Sequence, residues 1–447
     1  MLKRNTVTLA ALALILVVGT LVVDRIQSQS EAVTGIVEMV PDQVQSLQVN
    51  DVQLQRQGSQ WQITAPIASP ADSNTVSELL RTLANLKPTT TLDEVKALAE
   101  FGLDPARATI TYAAADQDPQ TVQVGSPTFD RSAVYALLPS QSVVTLPVTD
   151  EYALTPDLFR LRDRHVLTIN PAEVTRLDVK PKARTTPPIT LERQDLQWQI
   201  TAPQTLPANP TAVTQVLQKV QTAQATAFLS EARPDAATLK TYGLDQPSLT
   251  LTVTNKTGDP ATLQLGPEQD GTIHALSTRQ GGVMTVAASL LSDLTLTVEA
   301  LREKRLAVIT PSDLAEIRIS AADSSLTRAL TPIPDTGEWM LSDQPERQVD
   351  IAGLLAPLGS EVSTFVPAKD AQAATALKQP ILTLMFLPRP DLNRDPQTLV
   401  LAKDARDPNK VYGRSSTQPD IGVTDSATLD SLLAVITALK PLEAATP

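Results

Sequence analysis

The sequence contains no cysteine, which excludes disulfides, thiol chemistry, most zinc sites and the lipid-modified cysteine of a bacterial lipoprotein. It has two histidines, His165 and His274, and neither belongs to an H-x-x-x-H or H-E-x-x-H pattern. Aromatic residues make up 3% of the chain, so the core must be aliphatic. No G-x-G-x-x-G, G-x-x-x-x-G-K or G-x-S-x-G occurs, so neither a standard phosphate loop nor a nucleophile elbow is present. Basic residues are in deficit, 37 against 49 acidic ones, and the net charge of -12 argues against nucleic acid as a partner. Nothing in the sequence implies a cofactor or a metal.

What is present fits folded domains: 447 residues, 42% hydrophobic and 19% charged. Thirty-five prolines fix many turns. Residues 6–23 form an uncharged apolar run. As a helix it would cover ~27 Å, about one hydrocarbon core. Lys3 and Arg4 precede it, so residues 1–5 are expected to stay cytoplasmic. The alternative is a cleaved signal peptide. The run is long for one, and no small-x-small site stands before Asp24-Arg25. The expectation is an uncleaved single-pass anchor in the bilayer of a bacterial inner membrane. Residues 24–36 then serve as a tether, with the bulk of the chain periplasmic or otherwise extracytoplasmic.

The rest reads as three copies of one module. The three tryptophans are Trp61, Trp198 and Trp339, and W-Q-I-T-A-P occurs at 61–66 and again at 198–203. Pro41, Pro171 and Pro311 open the copies, 130 and then 140 residues apart. F-G-L-D at 101–104 matches Y-G-L-D at 242–245, with Gly102 and Gly243 equivalent, and weakens to T-A-L-K at 375–378. This period far exceeds solenoid units of ~20–50 residues and suits separate domains of ~100–150. The expected modules are 37–165, 166–305 and a divergent 306–447.

In the second copy, residues 174–179, 189–192 and 197–201 read as strands. A helix is expected over 210–223, from Val213, Val216, Leu217 and Val220 at helical spacing. Asn209 before Pro210 is its expected N-cap. A short second helix should end at Tyr242, with Gly243 and Leu244 forming a Schellman stop. Alternating Leu249, Leu251 and Val253 predict a half-buried antiparallel strand. Residues 262–265 and 272–276 add strands, and a helix near 287–300 leads onward. The class is α+β, with antiparallel sheets covered by helices. Each tryptophan is expected to pack between sheet and first helix; an exposed aromatic platform is the alternative.

Chemistry is hard to place. Residues 391–395, D-L-N-R-D, resemble the start of a calcium loop, but Pro396 and Ala402 stand where glycine and glutamate are needed. Carboxylates do not recur as a pair across the copies. The copies end on L-R-D-R at 161–164 and L-R-E-K-R at 301–305. Mixed charge at a helix end usually means solvation and a favourable helix dipole. The sharper reading is that Arg162, Arg164, Arg302 and Arg305 fix one domain against the next or bind a partner.

Taken together, the M-L-K-R anchor, the repeated W-x-I-T-x-P segments and the Gly-Leu-Asp turn with its following apolar strand resemble the domain-of-unknown-function family DUF4340. The resemblance covers about residues 37–305, and the third copy departs from it. It implies a membrane-anchored extracytoplasmic protein associated with ABC-type export or gliding-type transport, and it implies no catalytic residues. The expected function is therefore a non-catalytic accessory or scaffold protein, not an enzyme, whose partner is an inner-membrane protein such as ABC transporter subunits. An envelope hydrolase or glycan-processing enzyme, and a passive binder of cell-wall polymer, are the alternatives.

Overall fold

A computed structural model describes residues 37–439 apart from 38, 93, 94, 96, 116, 195, 196 and 335. The expected cytoplasmic tip, membrane helix and tether lie outside the described residues. Among the described residues no helix is long and apolar enough to cross a membrane. Two compact units are distinguished: residues up to His165 with Gln224–Ala227, and Val166–Ala223 with Phe228 onward.

The architecture is mostly sheet. The described residues form three antiparallel sheets of nine strands each, consistent with three tandem modules. In the second, the spatial order is Leu206–Pro207, Gln197–Ala202, Ile189–Gln194, Val174–Pro181, Leu249–Asn255, Pro260–Gln269, Thr272–Ser277, Val283–Ala287 and Ala225–Phe228. The first and third sheets repeat this order around Val44–Val49 and Leu314–Ala321. Register repeats as well. Leu47 faces Tyr112, Leu177 faces Val253 and Ile317 faces Phe386, each just after an equivalent bulge in the central strand. Two strands of the second sheet, Ala225–Phe228 and Val283–Ala287, lack the alternating burial of a half-buried strand and have no such signature in the sequence.

The helix Pro210–Thr222 starts where Asn209 Oδ1 accepts from the backbone of Thr211 and Ala212, which satisfies two of the free N–H groups at the helix start. It buries Val213, Val216, Leu217 and Val220. Ser73–Ala84 buries Val76, Leu79, Leu80 and Leu83 in the core of the first module. In the third copy the corresponding helix is only Ile351–Leu355, followed by a tight turn at Ala356–Gly359 that contains Pro357. Ile351, Leu354, Leu355 and Leu358 stand at helical spacing in the sequence, but proline cannot donate into a continuing helix, so the element is shorter. The long helix of the third copy is instead Ser426–Ala438, which buries Leu429, Leu432 and Ile436. The single helix expected near 287–300 is two, Ser289–Leu294 and Val298–Leu301. Thr295 closes the first, and Thr297 caps the second, its hydroxyl oxygen accepting from Ala300 N.

Candidate functional site

The junction segments 161–165 and 301–305 have the same local build. Helix Leu158–Leu161 precedes the first and helix Val298–Leu301 the second. Asp163 N donates to Pro70 O at 2.9 Å, and Glu303 N donates to Pro207 O at 2.9 Å. Asp163 accepts from His165 N at 2.9 Å, as Glu303 does from Arg305 N. His165 Nδ1 lies 2.7 Å from Asp163 Oδ1. Arg305 grips both oxygens of Glu303, at 2.8 and 2.7 Å. Hydrogen bonding to that carboxylate raises the Arg305 guanidinium above its ordinary value.

These segments are not the solvated helix ends that mixed charge suggests. Arg162 and Arg302 are 4% and 6% exposed, and Glu303 is 3% exposed. A buried charge is tolerated only with partners, and those of Arg302 come from the third sheet's module. Its Nη1 is 2.9 Å from Asp420 Oδ2, and its Nη2 donates to Gln418 Oε1 at 3.4 Å. The guanidinium carbon stands 3.5 Å from the centre of the Phe365 ring, within the range of a cation–π contact. Gln418 Nε2 donates in turn to Glu303 O at 2.9 Å. Next along the chain, Leu306 presses on Gly413 and Gly422, where an added Cβ would meet its methyls at 2.5 Å. The residues 301–306 therefore fasten the second sheet's module to the third. Nothing in sequence spacing marks Phe365, Gln418 or Asp420 as partners, since each is some 60 or more positions downstream.

Beside this latch lies a cleft of about 250 Å³ whose lining includes Trp198, Pro207, Pro210, Val308, Gln397 and Gln418. It brings together two residues singled out from the sequence, Trp198 and Arg305. All three tryptophans are buried: Trp61 at 5%, Trp198 at 7% and Trp339 at 2% exposure. Trp198 therefore adds little exposed surface to the cleft it lines. Arg164 stands with its guanidinium carbon 5.1 Å from the Phe159 ring. Pro41 and Pro311 open equivalent short turns, and Pro171 lies in the turn before Val174.

Gly102 and Gly243 hold left-handed backbone at φ 64° and 67°. Leu244 N donates to Leu239 O and Gly243 N to Lys240 O, at 2.8 and 3.2 Å, the paired bonds of a Schellman stop. The second strand after each turn, Gln120–Pro127 or Pro260–Gln269, bulges to receive it: a Cβ on Gly102 would meet Ser126, and one on Gly243 would meet Pro267. Gly125 and Gly266 sit in those bulges and approach the backbone of Phe101 and Tyr242. Phe101 contacts Tyr135, and Tyr242 contacts His274, with ring centres 4.9 and 4.7 Å apart. The third copy lacks the whole assembly. Ala376 and Ala402 replace the glycines, Thr375 replaces the aromatic, and the strand pairing is regular. There Tyr412, equivalent to Tyr135 and His274, donates its hydroxyl to Asp404 at 2.9 Å.

Two charges of the calcium-like loop lie in ion pairs, Asp391 with Arg389 at 3.1 Å and Arg394 with Asp313 at 3.0 Å. Among the described residues no group of three or more His, Asp or Glu is placed to hold a metal ion.

The family model described as "Domain of unknown function (DUF4340)" matches residues 61–197 and 198–380. Each matched stretch begins on a tryptophan of the repeat. No curated protein and no solved structure matches the chain.

Proposed function

The chain belongs to the DUF4340 family, and from that premise we propose that it is a non-catalytic, membrane-anchored extracytoplasmic scaffold that serves an inner-membrane partner, an ABC-type transport or envelope complex. The observation that carries this reading is the use made of the charged junction. The buried Arg302 is matched to the half-buried Asp420 across the two sheets' modules, and the buried Glu303 to Arg305 within the junction itself. Charges committed to a fixed geometry serve positioning, and rigid spacing between modules is what a scaffold supplies. The apolar run at 6–23 would tether the modules near membrane partners. Tethering raises effective concentration, so weak interfaces suffice. The link to transport rests on the family resemblance.

The test is crosslinking in intact cells, with identification of the bound chains, beside turnover assays of the purified chain on cell-wall glycan and peptide. Recovery of membrane transport components and no turnover is expected. Turnover abolished by one carboxylate or serine substitution, with no membrane partner recovered, overturns the scaffold in favour of an envelope hydrolase.

A further inference from the structure

The cleft between the second and third sheets has features the latch does not need. Its charged lining residues are Glu303 and Arg305, which are bound to each other at 2.7 and 2.8 Å, so it offers a ligand no net charge. Its remaining polar groups are chiefly the glutamines 197, 199, 397 and 418. Each glutamine amide both donates and accepts. Gln418 is engaged by Arg302 on its oxygen and with Glu303 O through its nitrogen. Gln397 is not: its Oε1 is buried with no hydrogen-bond partner among the described residues. Such an acceptor is costly unless something completes it. Trp198, Pro207, Pro210 and Val308 supply apolar surface alongside. A second hollow of about 80 Å³ continues past the same Gln197, Val308 and Gln397 toward Phe386, so the cleft is elongated.

We propose that this cleft binds a neutral saccharide unit. Hydroxyl groups are donors and acceptors at once and match amide side chains, while the apolar face of a sugar ring suits the Trp198, proline and Val308 surface. A charged ligand finds no free countercharge in the larger cleft, where Glu303 and Arg305 neutralise each other; the second hollow adds Asp313 and Arg394, paired at 3.0 Å, and Asp395. An extended peptide is disfavoured as well, since strand Gln197–Ala202 is paired on both sides and the sheet's edge at 206–208 is already taken by Arg302 and Glu303. The size, below the ~300–1,000 Å³ of pockets for drug-sized molecules, suits one ring or a short segment of a chain. The proposal goes beyond the scaffold reading and stands or falls separately from it.

The experiment uses the full-length chain in a detergent without a sugar headgroup, titrated with chitotetraose while tryptophan emission and heat are followed. Saturable binding is expected. Gln397→Ala should weaken it by about tenfold or more, because a site built to hydrogen-bond a hydroxyl discriminates strongly when the partner is lost. Val308→Trp, at a position 42% exposed, should fill the cleft and abolish binding without disturbing the core. Phe129→Ala, at an exposed turn of the first module, should leave it unchanged. Absence of saturation at millimolar chitotetraose overturns the proposal. So does binding indifferent to both cleft variants, and so does saturation by a proline-rich decapeptide in place of the sugar.

Discussion

Arg302 and Asp420, 118 positions apart in the chain, meet at 2.9 Å across the boundary between the second and third sheets. The arginine is 6% exposed and its partner is partly open, with 29% of its side chain accessible. Removing one member of such a pair leaves the other under-partnered, which costs more than the pair's net worth. Asp420→Ala should lower stability by about 1–3 kcal/mol. Arg302→Ala should lower it similarly, and the double variant by less than the sum of the two. Urea melts of the four proteins provide the cycle. Strict additivity would remove the latch.

Trp198 is 7% exposed and packs within the second module. Trp198→Ala should cost about 3–5 kcal/mol, the usual range for a large core aromatic. Chemical denaturation monitored by circular dichroism reports it. A loss below ~1 kcal/mol would point to an exposed platform.

Much of this architecture was legible before the fold. Val213, Val216, Leu217 and Val220 announce one buried helix face, and Asn209-Pro210 announces its start, because both signals are local and periodic. The Gly243 stop is local too. Yet the reason the third copy loses it lies elsewhere, in Gly266 and its bulge, which become adjacent only once the sheet pairs. The strand Val283–Ala287 is buried at its first four positions, so it lacks the alternation that marks half-buried strands. Of the junction, the sequence exposes Arg302 and Arg305 but not Phe365, Gln418 or Asp420. Those partners arrive by tertiary packing, and the cleft they border has no local signature at all.

Gly102→Ala and Gly243→Ala should both destabilise, by ~1 kcal/mol or more, since each glycine has positive φ. Gly102 should be the worse site. Its Cβ would stand 2.9 Å from the backbone nitrogen of Ser126, whereas at Gly243 it meets only the Pro267 ring. Thermal melts that ranked the two in reverse, or found neither shifted, would contradict the nested turn.

Two groups predict pH dependence of opposite sense. Hydrogen bonds from Thr128 and Ser132 hold the Asp130 carboxyl down at about 2. A depressed folded value contributes stability above the unfolded value near ~3.9, lost as pH falls toward about 2. Burial pushes the Tyr112 phenol up to about 12. Its contribution is complete below the unfolded value of ~10 and is lost as pH rises through about 12. Carboxyl NMR and ultraviolet titration follow the two. Thr128→Val should move the Asp130 midpoint upward; an unmoved midpoint refutes the assigned cause.

The third copy replaces an aromatic pair by a polar one, and that exchange can be measured. Tyr135 in the first copy contacts Phe101 through its ring. Tyr412, at the equivalent place, is 1% exposed and bonds Asp404 through its hydroxyl. The two tyrosines should therefore respond differently to loss of one oxygen atom. Tyr412→Phe removes a buried donor to a carboxylate and should cost about 1–3 kcal/mol. Tyr135→Phe keeps the ring contact and should stay within ~0.5 kcal/mol of the parent. Denaturant melts of both variants decide the matter. Equal losses would mean that the Tyr412 hydroxyl contributes no more than its counterpart, and that the third copy has lost the aromatic turn without gaining a polar replacement.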